Sequence, residues 1–117
     1  MPRRISTAEG RDALDATRAG TAGRRELGTA VRYLLQLLAE RAPGNSVEVR
    51  VPPFGAVQVV EGPRHTRGTP PNVIETDAAT WIALATGETA WSDAVAAGLV
   101  HASGTRAELT GLLPLRP

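Results

Sequence analysis

Residues 76–115 read TDAATWIALATGETAWSDAVAAGLVHASGTRAELTGLLPL, and the punctuation of this stretch sets the order of elements in the second half of the chain. Asp77 follows the extended-looking NVIET and is placed to cap a helix, its carboxylate accepting from N–H groups that a first turn leaves unpaired. Ala78, Trp81, Ile82 and Ala85 recur at helical spacing, with Leu84 beside them. Gly87 stands where a left-handed residue would end that helix. A second short helix is expected from a Thr89 cap, with Trp91, Ala94 and Val95 as its stripe, Asp93 in its first turn and Gly98 as its stop. Residues 99–103 then alternate as a strand, Val100 and Ala102 against Leu99, His101 and Ser103. Gly104 turns the chain, and Leu109, Leu112 and Leu113 suggest a last helix that Pro114 ends.

Working outward, the strongest helical pattern lies upstream. Leu27, Val31, Leu34, Leu35 and Leu38 form one apolar stripe, widened by Ala30 and Leu37 and stopped at Pro43 and Gly44. Arg24, Arg25, Glu26, Arg32, Glu40 and Arg41 read as its solvated face or ends. Before it, residues 1–4 read as frayed, and Ser6 or Thr7 opens a weaker helix with Leu14 as nearly its only large apolar residue. After it come two strands. Val47, Val49 and Val51 alternate with Ser46, Glu48 and Arg50, and residues 56–61 place Val57 and Val59 on one face, Gln58 and Val60 on the other. NVIET is the third strand and residues 99–103 the fourth. This order reads as α+β: a small, mainly antiparallel or mixed sheet of four to five strands, with helices packed on one face. The chain is one domain, 1–117, with residues 1–22 as a helical extension and 23–117 as the core.

Composition narrows the function. A chain of 117 residues buries roughly 60–70% of the surface its unfolded form exposes, enough for one core or for a core with a modest hollow. All thirteen basic residues are arginine, which reads as the codon bias of a GC-rich bacterial genome rather than a demand for guanidinium. A net charge of +1 gives no reason to expect a polyanionic partner, and no aromatic platform accompanies the arginine pairs, so nucleic acid is not expected. Cysteine is absent, which removes disulfides, thiolate chemistry and cysteine metal sites. The first ten residues carry charge but no apolar core for a secretory signal. No apolar run approaches the ~18 residues of a membrane span. A cytoplasmic location is expected.

The run WIALATGETAWSDAVAAGLVHASGT resembles the second half of the sterol carrier protein family. That family ends a helix with a Leu-x-x-Gly stop, carries Ala-x-x-x-Gly in a short helix, and closes a strand of alternating small apolar residues with a glycine turn. Leu84, Gly87, Ala94, Gly98, Val100, Ala102 and Gly104 occupy those positions. The segment RVPPFGAVQVVEGPRHTRGTPPNVIETD is closer still to a compact, stand-alone bacterial branch, and the resemblance covers residues 27–115. It implies a non-enzymatic carrier of an apolar or amphipathic molecule, such as a fatty acyl chain or sterol-like lipid, in an internal hydrophobic cavity. The alternative it leaves open is an accessory module with the same fold that binds a protein or a second copy of itself and holds no ligand.

Candidate sites divide the same way. Trp81 and Trp91 either pack a core or line an apolar cavity with Leu34, Leu38, Leu84, Val95, Leu109, Leu112 and Leu113. Arg64, His65 and Arg67, in a loop rich in Gly and Pro, either grip a carboxylate or phosphate head group or pair with nearby glutamates. His65 and His101 fall on different elements and make no metal set. No nucleophile elbow, P-loop, dinucleotide fingerprint or HExxH motif is present, and there is no lysine for imine chemistry. No catalytic residue, metal or cofactor is therefore expected.

Overall fold

The computed structural model of the protein describes residues 3–62 and 72–117. Its elements are α1 (Thr7–Arg18), α2 (Arg24–Arg41), β1 (Val47–Val51), β2 (Gly55–Val59), β3 (Asn72–Thr76), α3 (Ala78–Thr86), α4 (Trp91–Ala96) and β4 (Val100–Ser103). The four strands form one sheet in the order β2-β1-β3-β4. The two central strands, β1 and β3, run parallel, and each is flanked by an antiparallel neighbour. The fold is the α+β arrangement that the alternation of strands and helices implies.

Alternation decides which face of the sheet is covered. Val47, Val49, Val51, Val59 and Ile74 are buried beneath the helices. On the other face the register sets Gln58, Glu48, Val73 and Ser103 in one row and Ala56, Arg50, Glu75 and His101 in the next. Those side chains are half-buried or exposed, and Arg50 pairs with Glu48 among them. The helical layer is built on α2, which lies against β2, α1 and α3. Its stripe of Val31, Leu34, Leu35 and Leu38 is almost wholly excluded from solvent. Trp81 from α3 is fully buried, and its indole Nε1–H donates to the Val31 carbonyl oxygen at 3.2 Å.

Local signals explain most boundaries. Ser6 caps α1, accepting from the Glu9 N–H at 3.1 Å. At the start of α2 the Gly23 N–H donates to Glu26 Oε1 at 3.0 Å. Asp77 caps α3 by accepting from the Thr80 N–H at 2.8 Å and from the Thr80 hydroxyl at 3.0 Å. Gly87 ends α3 at φ +85. The buried Asn72 has both ends of its amide satisfied: it donates to the Ser46 carbonyl at 2.8 Å and accepts from the Arg106 N–H at 2.9 Å. Ser46 donates through its N–H and its hydroxyl to the Val60 carbonyl, while the Val60 N–H donates to Ala42. That clamp holds Val60 at φ +65, a conformation that a β-branched residue adopts only under constraint.

Two expectations are corrected. Thr89 does not cap α4: the N-cap is Ala90, which makes no side-chain capping bond. Leu109, Leu112 and Leu113 form no helix. Gly111 sits at φ +82 within that stretch, so the chain makes one turn, Leu112 N–H to Leu109 O at 3.0 Å, and leaves it extended. The N-terminal helix has a definite place as well. It packs on α2 of its own chain, with Gly10 laid flat on the Tyr33 ring and Ala13 and Leu14 buried.

Gly10 yields a prediction of sign. In an exposed helix, Gly→Ala stabilises by roughly 1 kcal/mol. A Cβ at Gly10 would run into the Tyr33 ring. Gly10→Ala should therefore destabilise, by about 1–3 kcal/mol as for other overpacked cores, read as a lower urea midpoint with an unchanged slope. An unchanged or higher midpoint would mean that α1 is not docked on Tyr33.

Candidate ligand groove

The end of α3, the start of α4 and the C-terminal segment enclose a groove of about 360 Å³. Leu84 and Leu109, both almost fully buried, form its floor. Trp91 and Leu113, each half-buried, form its walls with Ala90 and Pro114. Its polar contributions among the described residues are the hydroxyls of Thr89, Ser92 and Thr110. Among the described residues no carboxylate, imidazole or guanidinium lines it. Such a surface can desolvate an apolar body and orient it weakly through its hydroxyls. No cluster of three or more His, Asp or Glu side chains suited to a metal occurs among the described residues.

The C-terminal wall is held from outside its own sequence. Leu115 N–H donates to the Ala85 carbonyl at 2.8 Å. Arg41, in the last turn of α2, donates from Nη1 to the Pro114 carbonyl at 3.1 Å and from Nη2 to the Gly111 carbonyl at 3.4 Å. Leu115 and Leu109 are buried on either side of these contacts. Gly87 is required twice over, since its φ is positive and a Cβ there would press on the Pro114 ring at 3.2 Å.

The nine apolar residues expected to line one cavity are thus divided. Leu84, Trp91, Leu109 and Leu113 meet at the groove. Leu34, Leu38 and Trp81 are wholly enclosed by packed neighbours. Leu112 is half-buried against the core, and Val95 points outward, 44% exposed. The anion-site candidates Arg64, His65 and Arg67 lie outside the described residues. Periodicity cannot separate a core position from a pocket wall, because both are apolar and both recur at helical spacing.

Sequence reasoning passed over a second, larger depression. It has a volume of about 590 Å³ and lies between the N-terminal segment, α2 and the edge strand β2. Arg3, Arg4, Glu9, Arg32 and Gln36 are among its lining residues. Arg3 makes a paired contact with Glu9, Nη1 to Oε1 at 3.1 Å and Nη2 to Oε2 at 2.9 Å. The Arg3 hydrogen bond is the main reason that the Glu9 carboxyl is held below its ordinary value, and the same bond raises Arg3.

A family model described as bacterial SCP ortholog matches residues 23–115. The chain belongs to this sterol-carrier-protein-like family. The match begins at the N-cap of α2 and ends at Leu115, so it contains the whole C-terminal groove and omits α1. No curated protein matches the chain. Sterol-carrier-like domains are in general carriers rather than catalysts. Among the described residues no helix is long and apolar enough to cross a membrane.

Two predictions test this geometry. Arg41→Ala removes two contacts to the C-terminal segment. The loss should be about 1 kcal/mol of local stability, so that the Leu115 amide exchanges roughly five-fold faster by hydrogen-exchange NMR. The second concerns pH. Because the folded Glu9 carboxyl lies below its ordinary value of 4.5, the Arg3–Glu9 contribution is complete above that value and is lost as pH falls through the lower, folded one. The side-chain carboxyl resonance of Glu9 should titrate below 4.5, and Arg3→Gln should move its midpoint up towards 4.5.

Proposed function

We propose that this sterol-carrier-like chain is a non-enzymatic binder or carrier of an apolar or amphipathic small molecule, a lipid, fatty acyl chain or sterol-like ring system, held in the C-terminal groove. One observation carries the proposal. Leu84, Trp91, Leu109 and Leu113 converge on a concave surface with no titratable side chain among the described residues, inside the span that the family model matches. Its volume of about 360 Å³ lies at the small end of ligand sites. The driving force is transfer of apolar surface out of water, roughly 25 cal/mol per Å². The C-terminal segment acts as the lid: when the Arg41 and Leu115 contacts open, the groove widens towards Leu112. Arg64, His65 and Arg67 are assigned to the ligand's head group, and the setting assigned is the cytoplasm.

A second reading has its own support. Leu34, Leu38 and Trp81 fill the interior, while Val95 on α4 and Leu99 just ahead of β4 stand 44% and 46% exposed. A packed interior with an apolar outer patch is what an interaction module would show.

Titration of the delipidated protein with an 11-carbon dansyl fatty acid separates the two. The carrier reading expects saturable binding that quenches Trp91. It expects affinity to fall about tenfold in Leu113→Arg, which places a charge in an apolar wall, and also in Ala90→Trp, which fills the groove. Folded protein that binds no probe would end the carrier reading and leave the module. Binding that survives both substitutions would move the ligand out of this groove.

A further inference from the structure

The N-terminal segment lies outside the family match, yet it builds one wall of the larger groove. That wall is firmly made. Ile5 donates through its N–H to Gln36 Oε1 and accepts at its carbonyl from Gln36 Nε2, both at 2.9 Å, so one glutamine side chain pairs with the backbone as a neighbouring strand would. The Ile5 side chain is buried. Arg4 pairs with Glu40, one turn further along α2, and Arg3 pairs with Glu9. The opposite wall is β2, the edge strand, bonded to β1 on one side only. At a sheet edge, backbone N–H and C=O groups on the outer side need cover or a partner. Gly55, Ala56 and Val57 of that edge line the groove.

Thr29, Arg32 and Gln36 succeed one another along one face of α2 at spacings of three and four, with Leu35 beside them. The stem of Arg32 crosses Gly55, where a Cβ would stand 3.3 Å from its Cγ. Its Nη1 donates to the Phe54 carbonyl at 3.4 Å, and no carboxylate pairs with it among the described residues. The groove thus offers an apolar floor of Ile5, Leu35 and Val57, a guanidinium with donors to spare, and a strand edge.

We infer that the N-terminal segment creates a second binding site against the β2 edge for a small amphipathic carboxylate, with Arg32 receiving the carboxylate and Ile5, Leu35 and Val57 receiving the apolar body. The charge pattern selects a monoanion. Arg3 and Arg4 already hold Glu9 and Glu40, and the Glu9 carboxylate itself lies in the wall, so among the described residues a doubly charged phosphate would meet one uncommitted guanidinium and a like charge. Arginine's planar fork suits a planar carboxylate. The occupant is a small molecule rather than an added peptide strand. The N-terminal segment already stands across from β2, and the space between them, about 590 Å³, is that of a ligand pocket. This site is separate from the C-terminal groove and does not depend on it.

The test is a titration of the isotope-labelled full chain with decanoate and, separately, with 1-decanol, followed by amide and side-chain NMR. Decanoate should shift the amides of Gly55, Ala56 and Val57 and the Arg32 Nε–H. 1-Decanol should bind there about tenfold more weakly, and Arg32→Gln should weaken decanoate by about tenfold or more while leaving 1-decanol unchanged. Arg32→Lys, which keeps the charge but not the fork, should fall between. Gln36→Ala, which releases Ile5, should weaken both ligands. Unmoved amides at 55–57, or equal decanoate affinity in wild type and Arg32→Gln, would overturn the site. Shifts confined to Trp91 Nε1 and the Leu113 amide would also overturn it while supporting the C-terminal groove. Shifts confined to 55–57 would do the reverse.

Discussion

The contact on which the rest depends is the seating of Trp81 against α2. Its ring is fully buried, and its one polar atom donates to the Val31 carbonyl, so the largest side chain in the core leaves no unpaired group behind. A buried tryptophan is worth about 3–5 kcal/mol over alanine, a large share of the roughly 5–15 kcal/mol that holds such a domain together. With Trp81 fixed, α3 is locked to α2. The left-handed Gly87 then turns the chain back, and α4 and β4 are delivered to the free edge of β3. The groove behind Trp91 exists because Leu84, on the same short helix as Trp81, cannot move away from the core.

Helix α2 organises the molecule on both sides. Its apolar stripe faces the sheet, and arginines on its flanks reach out to loops distant in sequence. Arg24 lies 5.4 Å from the Phe54 ring centre, Arg32 reaches the carbonyl of the same residue, and Arg41 holds the C-terminal segment. An arginine suits this work because its long stem covers apolar surface while its fork meets several carbonyls at once. One helix thereby supports one wall of each groove. The edge of β2 and the end of α3 are otherwise unrelated places in the sheet and the helical layer.

Much of this was legible in the residues. The alternation of Val47, Val49 and Val51, the caps at Ser6 and Asp77, the stops at Gly87 and Gly98 and the stripe of α2 each obey a local rule, and the structure follows them. The reading failed where a local pattern had two solutions. Leu109, Leu112 and Leu113 have helical spacing, but Gly111 takes a positive φ, and the long-range contacts to Ala85 and Arg41 favour an extended path. Arg32 reads as solvated charge on one helix alone, and it is exposed. Only its approach to Gly55 and the N-terminal segment makes it part of a groove.

The sequence by itself determined the period of each element, its caps and stops, the α+β class and, through the order of its Gly and Ala positions, the family. These are short-range properties, set by backbone sterics and by which face of an element is apolar. Tertiary structure alone decided that Leu34, Leu38 and Trp81 fill space while Leu84, Trp91, Leu109 and Leu113 border it. It alone decided that α1 returns to its own chain through Gly10 and Tyr33, and that the segment ahead of α1 turns a sheet edge into a groove. The reason is physical: an apolar residue reports that it leaves water, but whether it meets a neighbour or a hollow depends on side chains dozens of positions away, brought together only by folding.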